Sequence, residues 1–356
     1  MWQVLTILEG FGLGMSRLFF ALGGGVSPDF SHVLFLLLCA GVVQMTIGLL
    51  WAILRTRTLC SLRISGVGHT TGPVALGFFG LIANACAFAA FQGTSGRADM
   101  TAVTFLSSVP GIVLAAVFAQ IPFLRLKEKL GMRQVAGLLV AIYGAYLTIP
   151  LSISVLYKNG IPLWVWFSLG TVTFATSNEA ISKWMANWEE EKAPGGKLAP
   201  WTLQFWGGMT MVVVAGAVFL VCADPHTHTT INTGTLWSYG VGAGLCNIFW
   251  WTCRLFAYQG AIVGTQRKFD KAPVYLRRFP AIGMALLTAL VVGAFRFHDP
   301  FTLEKIAGIA LFVPAFFLAQ NGSEKWLKKT WSHIAGRRGV TPAFEISTPM
   351  SLPKAS

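Results

Sequence analysis

A chain of 356 residues in which 54% are hydrophobic and only 12% charged carries more apolar surface than a water-soluble domain can hide, so the bilayer is its solvent. The formal charge of +13, from 27 Lys and Arg against 14 Asp and Glu, reads as a loop-orientation signal and not a nucleic-acid surface, because no soluble basic domain remains to host one. The same bias leaves little room for a soluble catalytic domain; the expectation is no covalent chemistry and no cofactor.

About 20 mostly apolar residues cross a bilayer as helix. Ten windows qualify, near 2–22, 32–54, 73–93, 100–122, 133–151, 162–184, 201–222, 236–260, 272–295 and 303–320. The ninth is the weakest, since Arg277 and Arg278 lie inside it. No cleavable leader is expected, because the first apolar run starts at Trp2 without a basic stretch and is interrupted by Glu9 and Arg17. With a cytoplasmic N-terminus, the inner loops carry Arg55, Arg57, Arg63, Arg125, Lys127, Lys129, Arg133, Lys192, Lys197, Arg267, Lys268 and Lys271. The tail adds Lys325, Lys328, Lys329, Arg337, Arg338 and Lys354. Eighteen basic residues then lie inside, against Arg97, Lys158, Arg296 and Lys305 outside. That asymmetry is what positive-inside sorting produces, and a missed or extra helix would scramble it. It puts both termini in the cytoplasm, and a bacterial plasma membrane is the expected location.

The chain repeats itself. TAVTFLSSVPGIV at 101–113 aligns without a gap on KAPVYLRRFPAIG at 271–283. EKLGMRQVAGLLV at 128–140 matches DPFTLEKIAGIAL at 299–311, and AFQG at 90–93 matches AYQG at 257–260. The reading is a first five-helix repeat at 1–151, a linker at 152–161, a second five-helix repeat at 162–320, and a basic cytoplasmic tail at 321–356. An odd number of spans per repeat forces the second to insert upside down. Inverted repeats mark secondary transporters, with the solute site between them near the midplane.

A proline in the fourth helix of each repeat, followed by an acidic residue ahead of a (Q/K)-(V/I)-A-G helix start, resembles the drug/metabolite transporter superfamily, EamA-like branch. The marks are Pro110 with Glu128, Gln134 and Gly137, then Pro280 with Asp299, Lys305 and Gly308. The second copy departs by carrying Asp where Glu is common. The resemblance implies ten helices, a central cavity lined mainly by helices 1, 3, 4, 6, 8 and 9, and substrates from amino acids to nucleotide sugars.

Seven ionisable residues fall within spans: Glu9, Arg17, Glu179, Lys183, Arg254, Arg277 and Arg278. Each costs about 2.5–3.5 kcal/mol at the bilayer centre unless it faces water or an opposite charge. Arg277 and Arg278 align with Ser107 and Ser108 in the repeat, so the fold itself does not demand charge there. They are separated by about 100° around a helix, and guanidinium forks suit phosphate or carboxylate. The alternative is that both snorkel to headgroups. The pair also resembles the basic pair in the ninth helix of the triose-phosphate/phosphate translocators, which contacts substrate phosphate; their further lysine in helix 4 has no counterpart here, where Leu106 stands.

The eighth span sets Asn247, Trp250, Trp251, Arg254 and Tyr258 along one polar and aromatic face, which should point inward to a solute or to other helices. The first span aligns Thr6, Glu9, Gly12 or Leu13, and Ser16. Glu9 resembles the proton-coupling glutamate of the small multidrug resistance branch, and a carboxyl in low dielectric can exchange protons near neutrality; equally, it could neutralise an arginine. Glu179 and Lys183 are spaced for a local ion pair, on a polar stripe with Ser168, Thr171, Asn178 and Ser182. Arg17 could pair with Glu179 or reach headgroups.

Five of the six cysteines lie in apolar runs and read as small buried residues. Gly23-Gly24-Gly25 follows no strand and is no nucleotide loop. His226 and His228 lack further ligands for a metal, and Glu189–Glu191 reads as a solvated face. In the tail, Trp326, Leu327, Trp331 and Ile334 oppose Lys328 and Lys329, as in an interfacial helix on anionic lipid headgroups; disorder is expected beyond Arg338.

The expected function is a secondary transporter of a small solute by alternating access. The solute would be an organic anion or zwitterion bearing carboxylate or phosphate, held by Arg277, Arg278 and Arg254 with Trp250, Asn247 and Tyr275. Glu9 or Glu179 would couple protons. The alternative is an exporter of neutral or cationic metabolites with structural arginines.

Overall fold

In the computed structural model of the protein the described residues are 1–26, 30–62, 67–92, 100–121, 131–148, 161–192, 198–222, 233–262 and 268–320. A backbone in hydrocarbon must satisfy its N–H and C=O groups internally, and helix is how one segment does so alone. The helices are α1 (Trp2–Val26), α2 (Phe30–Thr56), α3 (Val67–Gln92), α4 (Met100–Leu106), α5 (Pro110–Gln120), α6 (Met132–Tyr146), α7 (Leu163–Lys192), α8 (Pro200–Cys222), α9 (Thr233–Gln259), α10 (Val274–Val292), α11 (Leu303–Ala310) and α12 (Phe312–Ala319). A 3₁₀ turn at Leu59–Leu62 follows α2, and a wider π turn at Gly293–Phe297 ends α10.

Each of the ten apolar windows contains helix among the described residues. Among the described residues, six stretches are long and apolar enough to cross a membrane: Trp2–Gly23, Phe30–Thr56, Gly72–Phe91, Met100–Gln120, Pro200–Val221 and Val274–Phe297. The protein is an all-α membrane protein. Helices α7 and α9 have the length, at 30 and 27 residues. Their composition is diluted by the polar residues they carry to the interior.

Burial is inside-out relative to a soluble protein. All seven intramembrane ionisable residues are buried, while Leu54, Leu139, Val213, Leu220 and Val221 stand exposed. That is the arrangement lipid selects.

The fourth window is not one helix. It stops at Leu106, turns through Ser107–Val109, and restarts with Pro110 at the first position of α5. Pro110 has no N–H to offer the preceding turn, and the Ser107 hydroxyl donates to Thr104 O at 3.1 Å. The turn is buried, as irregular backbone at membrane depth must be. The tenth window is interrupted too, at Leu311 between α11 and α12.

Helix α2 packs on α8, α3 on α7, and α1 on α9 and α10. Further pairs are α2 with α9, α3 with α8, α7 with α4 and α5, and α6 with α12. Small residues let backbones approach. A side chain begun at Gly48 would lie 2.5 Å from Phe205 N, and one at Gly144 would lie 2.6 Å from Gly308 O. Residues 152–160 of the expected 152–161 linker, Glu128, His226, His228 and the tail helix at 321–334 lie outside the described residues.

Candidate functional site

Five charged side chains from four helices meet in the interior: Glu9 on α1, Glu179 on α7, Arg254 on α9, and Arg277 and Arg278 on α10. Arg277 is wholly buried and none of the other four exceeds 6% exposure. Arg254 Nε donates to Glu9 Oε1 at 2.9 Å, its Nη2 lies 3.2 Å from Glu179 Oε1, and its Nη1 donates to Asn178 Oδ1 at 3.0 Å. Arg277 Nη1 donates to Glu9 Oε2, its Nη2 lies 2.6 Å from Glu179 Oε1, and its Nε donates to the Tyr258 hydroxyl at 2.8 Å. Arg278 Nε donates to Glu179 Oε2 at 2.5 Å, its Nη2 to Thr176 Oγ1 at 2.7 Å, and its Nη1 to Ser108 O at 3.3 Å. All four carboxylate oxygens are therefore engaged, and the cluster keeps one positive charge in excess. Uncompensated, such charges would each cost several kcal/mol to bury; shared carboxylates and bonds to neutral groups make the cluster tolerable.

Local sequence explains the convergence. Arg277 and Arg278 are adjacent, so one reaches toward α1 and α9 and the other toward α7. Gly111 of α5 leaves the space that the Arg278 guanidinium occupies, because a Cβ there would overlap Nη1. Asn178 is oriented by donating to Leu76 O at 2.7 Å. Arg254 lies over the Trp250 ring at 4.4 Å, and Arg277 over the Tyr258 ring at 5.0 Å, cation–π contacts in a water-poor interior.

A cavity of about 40 Å³ adjoins the cluster, walled by Glu9, Leu13, Arg17, Asn84, Ser107, Ser108, Thr171, Glu179, Trp250, Arg254 and Arg278 among others. Its volume is room for a few water molecules. Of the residues anticipated from sequence, Arg254, Arg278, Trp250, Glu9 and Glu179 line it. Arg277 sits behind it, locked between both carboxylates. Asn247 is buried nearby, accepting from Ser16 Oγ at 3.2 Å and Trp250 Nε1 at 2.9 Å. Tyr275 is elsewhere, in the apolar core with Trp2, Phe105 and Phe279, because the turn of α10 that aims both arginines inward sends it to another side. Neither arginine of the pair reaches headgroups. Glu179 is taken by three arginines, while Lys183 donates to Ala272 O at 2.9 Å.

Sequence reading missed Arg17, Asn84 and Ser108 as cavity residues. The signal for Arg17 was present: Glu9, Leu13 and Arg17 are spaced i, i+4, i+8 and share one helix face. Among the described residues no group of three or more His, Cys, Asp or Glu could hold a metal ion.

No protein-family model matches the chain, and no curated protein matches it. Solved structures do. One, described only as "Crystal structure of protein", is 17% identical with a TM-score of 0.56, the match covering 88% of this chain and 97% of that chain. At that identity the likeness concerns the fold alone.

Proposed function

We propose that the protein is a ten-span secondary transporter of the drug/metabolite superfamily. In this reading it moves a small organic anion, or a zwitterion bearing carboxylate or phosphate, by alternating access between two inverted five-helix repeats, with both termini in the cytoplasm of a bacterial cell. The observation that carries the reading is the buried cluster of three arginines and two glutamates beside a polar cavity, with an excess of positive charge and one wall formed by a broken helix. Intramembrane charge of this kind marks solute or ion pathways, and discontinuous helices at depth are a transporter device.

The packing supports the repeat. Exchange first-half helices for their second-half counterparts and the packed pairs map onto one another: α1 with α9 becomes α7 with α3, and α2 with α9 becomes α8 with α3. The pairs α2 with α8 and α6 with α12 map onto themselves. A cavity that admits only water implies that solute binding requires the surrounding helices to part. Glu9 and Glu179 are the coupling groups in this scheme, since protonating either would release an arginine to the solute.

The complete mutual engagement of the cluster favours one rival, an exporter of neutral or cationic metabolites in which the arginines are structural. Proteoliposomes separate the two. Saturable uptake of labelled succinate or phosphate into vesicles loaded with unlabelled anion, weakened by Arg278→Gln, is the expected result. Transport of neutral or cationic metabolites with no anion flux under any gradient would overturn the anion reading.

A further inference from the structure

Arg17 is 4% exposed and lines the cavity. Its Nη1 has no hydrogen-bond partner among the described residues, and no carboxylate forms an ion pair with it there. A guanidinium this deep is normally satisfied by a carboxylate or by several acceptors. The same wall carries two more buried groups without partners, Asn84 Nδ2 and Ser108 Oγ. They come from three places in the fold: α1, α3, and the turn between α4 and α5.

Arg17 lies eight residues beyond Glu9 on α1, and Thr171 eight residues before Glu179 on α7, so each is about 12 Å along its helix from the ion cluster. The cavity therefore has two unlike ends. At one end both carboxylates are spoken for by Arg254, Arg277 and Arg278. At the other, hydrogen-bond donors stand idle: the hydroxyls of Ser107 and Thr171 are committed to Thr104 O and Phe167 O, whereas Arg17 and Asn84 can still donate. Ser108 stands nearer the cluster, its O accepting from Arg278 Nη1 at 3.3 Å and its hydroxyl without a partner among the described residues.

We propose that Arg17, Asn84 and Ser108 form the docking point for a compact oxyanion, the carboxylate or phosphate of the solute. This rests on the transporter reading above and moves the anion contact from the Arg277–Arg278 pair towards Arg17, with Ser108 on the cluster side of the docking point. A planar guanidinium fork with an amide and a hydroxyl donor matches the lone-pair directions of such a group. The cluster arginines then serve mainly to hold α1, α7, α9 and α10 together, with the Arg254 and Arg278 edges facing the body of the solute.

The test uses the full chain in non-ionic detergent, with succinate and inorganic phosphate as probes and chloride at matched ionic strength as the control. Wild type is expected to melt higher with at least one probe and not with chloride. Arg17→Gln is expected to weaken that response about 10-fold or more in probe concentration, the scale of a lost charge-assisted bond. Without probe it should melt no lower than wild type, because it removes an unpaired buried charge; a structural arginine would lower the melting point. An unchanged probe response in Arg17→Gln, or a lower probe-free melting point, overturns the docking point and leaves the transporter reading standing. A wild type that responds to neutral or cationic metabolites but to neither probe overturns both. If Arg17→Gln does not accumulate, Asn84→Asp replaces it: a carboxylate in the same wall should abolish the probe response, and an unchanged response overturns the proposal.

Discussion

Because Glu179 meets three guanidiniums through two oxygens while Glu9 meets two, the two carboxylates are unequal members of one network. Glu179→Gln leaves three arginines facing a single carboxylate at full burial, and removing one partner of a buried pair costs about 3–5 kcal/mol. Denaturant unfolding in mixed micelles should register that loss, and a smaller one for Glu9→Gln. Equal losses would remove the inequality of the two carboxylates, and none beyond about 0.5 kcal/mol would mean that the cluster does not hold the helices. The components of this site were legible one at a time. Each intramembrane charge was conspicuous against its apolar neighbours, and the polar faces of α1, α7 and α9 follow from helical spacing. Which carboxylate meets which arginine was not legible, since partners separated by as many as 268 positions are set by helix packing. The local Glu179–Lys183 spacing pointed to a pair that competes with three arginines from other helices.

At the scale of helices, the two aligned prolines had different outcomes. Pro110 begins α5 after a break, whereas Pro280 lies inside a continuous α10. Apolar windows cannot separate these cases, because a proline is compatible with both a helix start and a kink. What differs is the pair before it: Ser107 bonds its own backbone, a habit that competes with helix, while Arg277 and Arg278 reach away to the cluster. Asp299, beyond the π turn, accepts from the Met100 N–H of α4 at 2.8 Å. Burial raises the Asp299 carboxyl above its ordinary value of 3.8, with the Met100 N–H pulling the other way. The folded state thus holds this proton more tightly than the unfolded chain. The stabilisation is whole below the unfolded value and fades as pH rises through the folded one. Asp299→Asn keeps an acceptor oxygen for Met100 and removes the titration, so its melting point should vary less than wild type across the weakly acidic range. Parallel profiles would remove Asp299 as the source.

For the whole molecule, the positions of the apolar stretches were readable because the hydrocarbon thickness fixes how many apolar residues a crossing needs. The orientation derived from the basic loops is open to a direct check. Cys60 lies exposed in the 3₁₀ turn after α2, while Cys39 and Cys253 are buried. With Cys86, Cys222 and Cys246 replaced by serine, a membrane-impermeant maleimide should label Cys60 in inside-out vesicles and not in right-side-out ones. The opposite pattern would reverse the proposed topology.

The glycine contacts of α2 with α8 carry a mechanical consequence. Where Gly48 leaves the main chain of one helix touching that of the other, no layer of side chains remains to yield by changing rotamers. A helix pair in that state resists tilting apart, and the displacement left to it is slippage along the line of contact, so the two would travel as one beam.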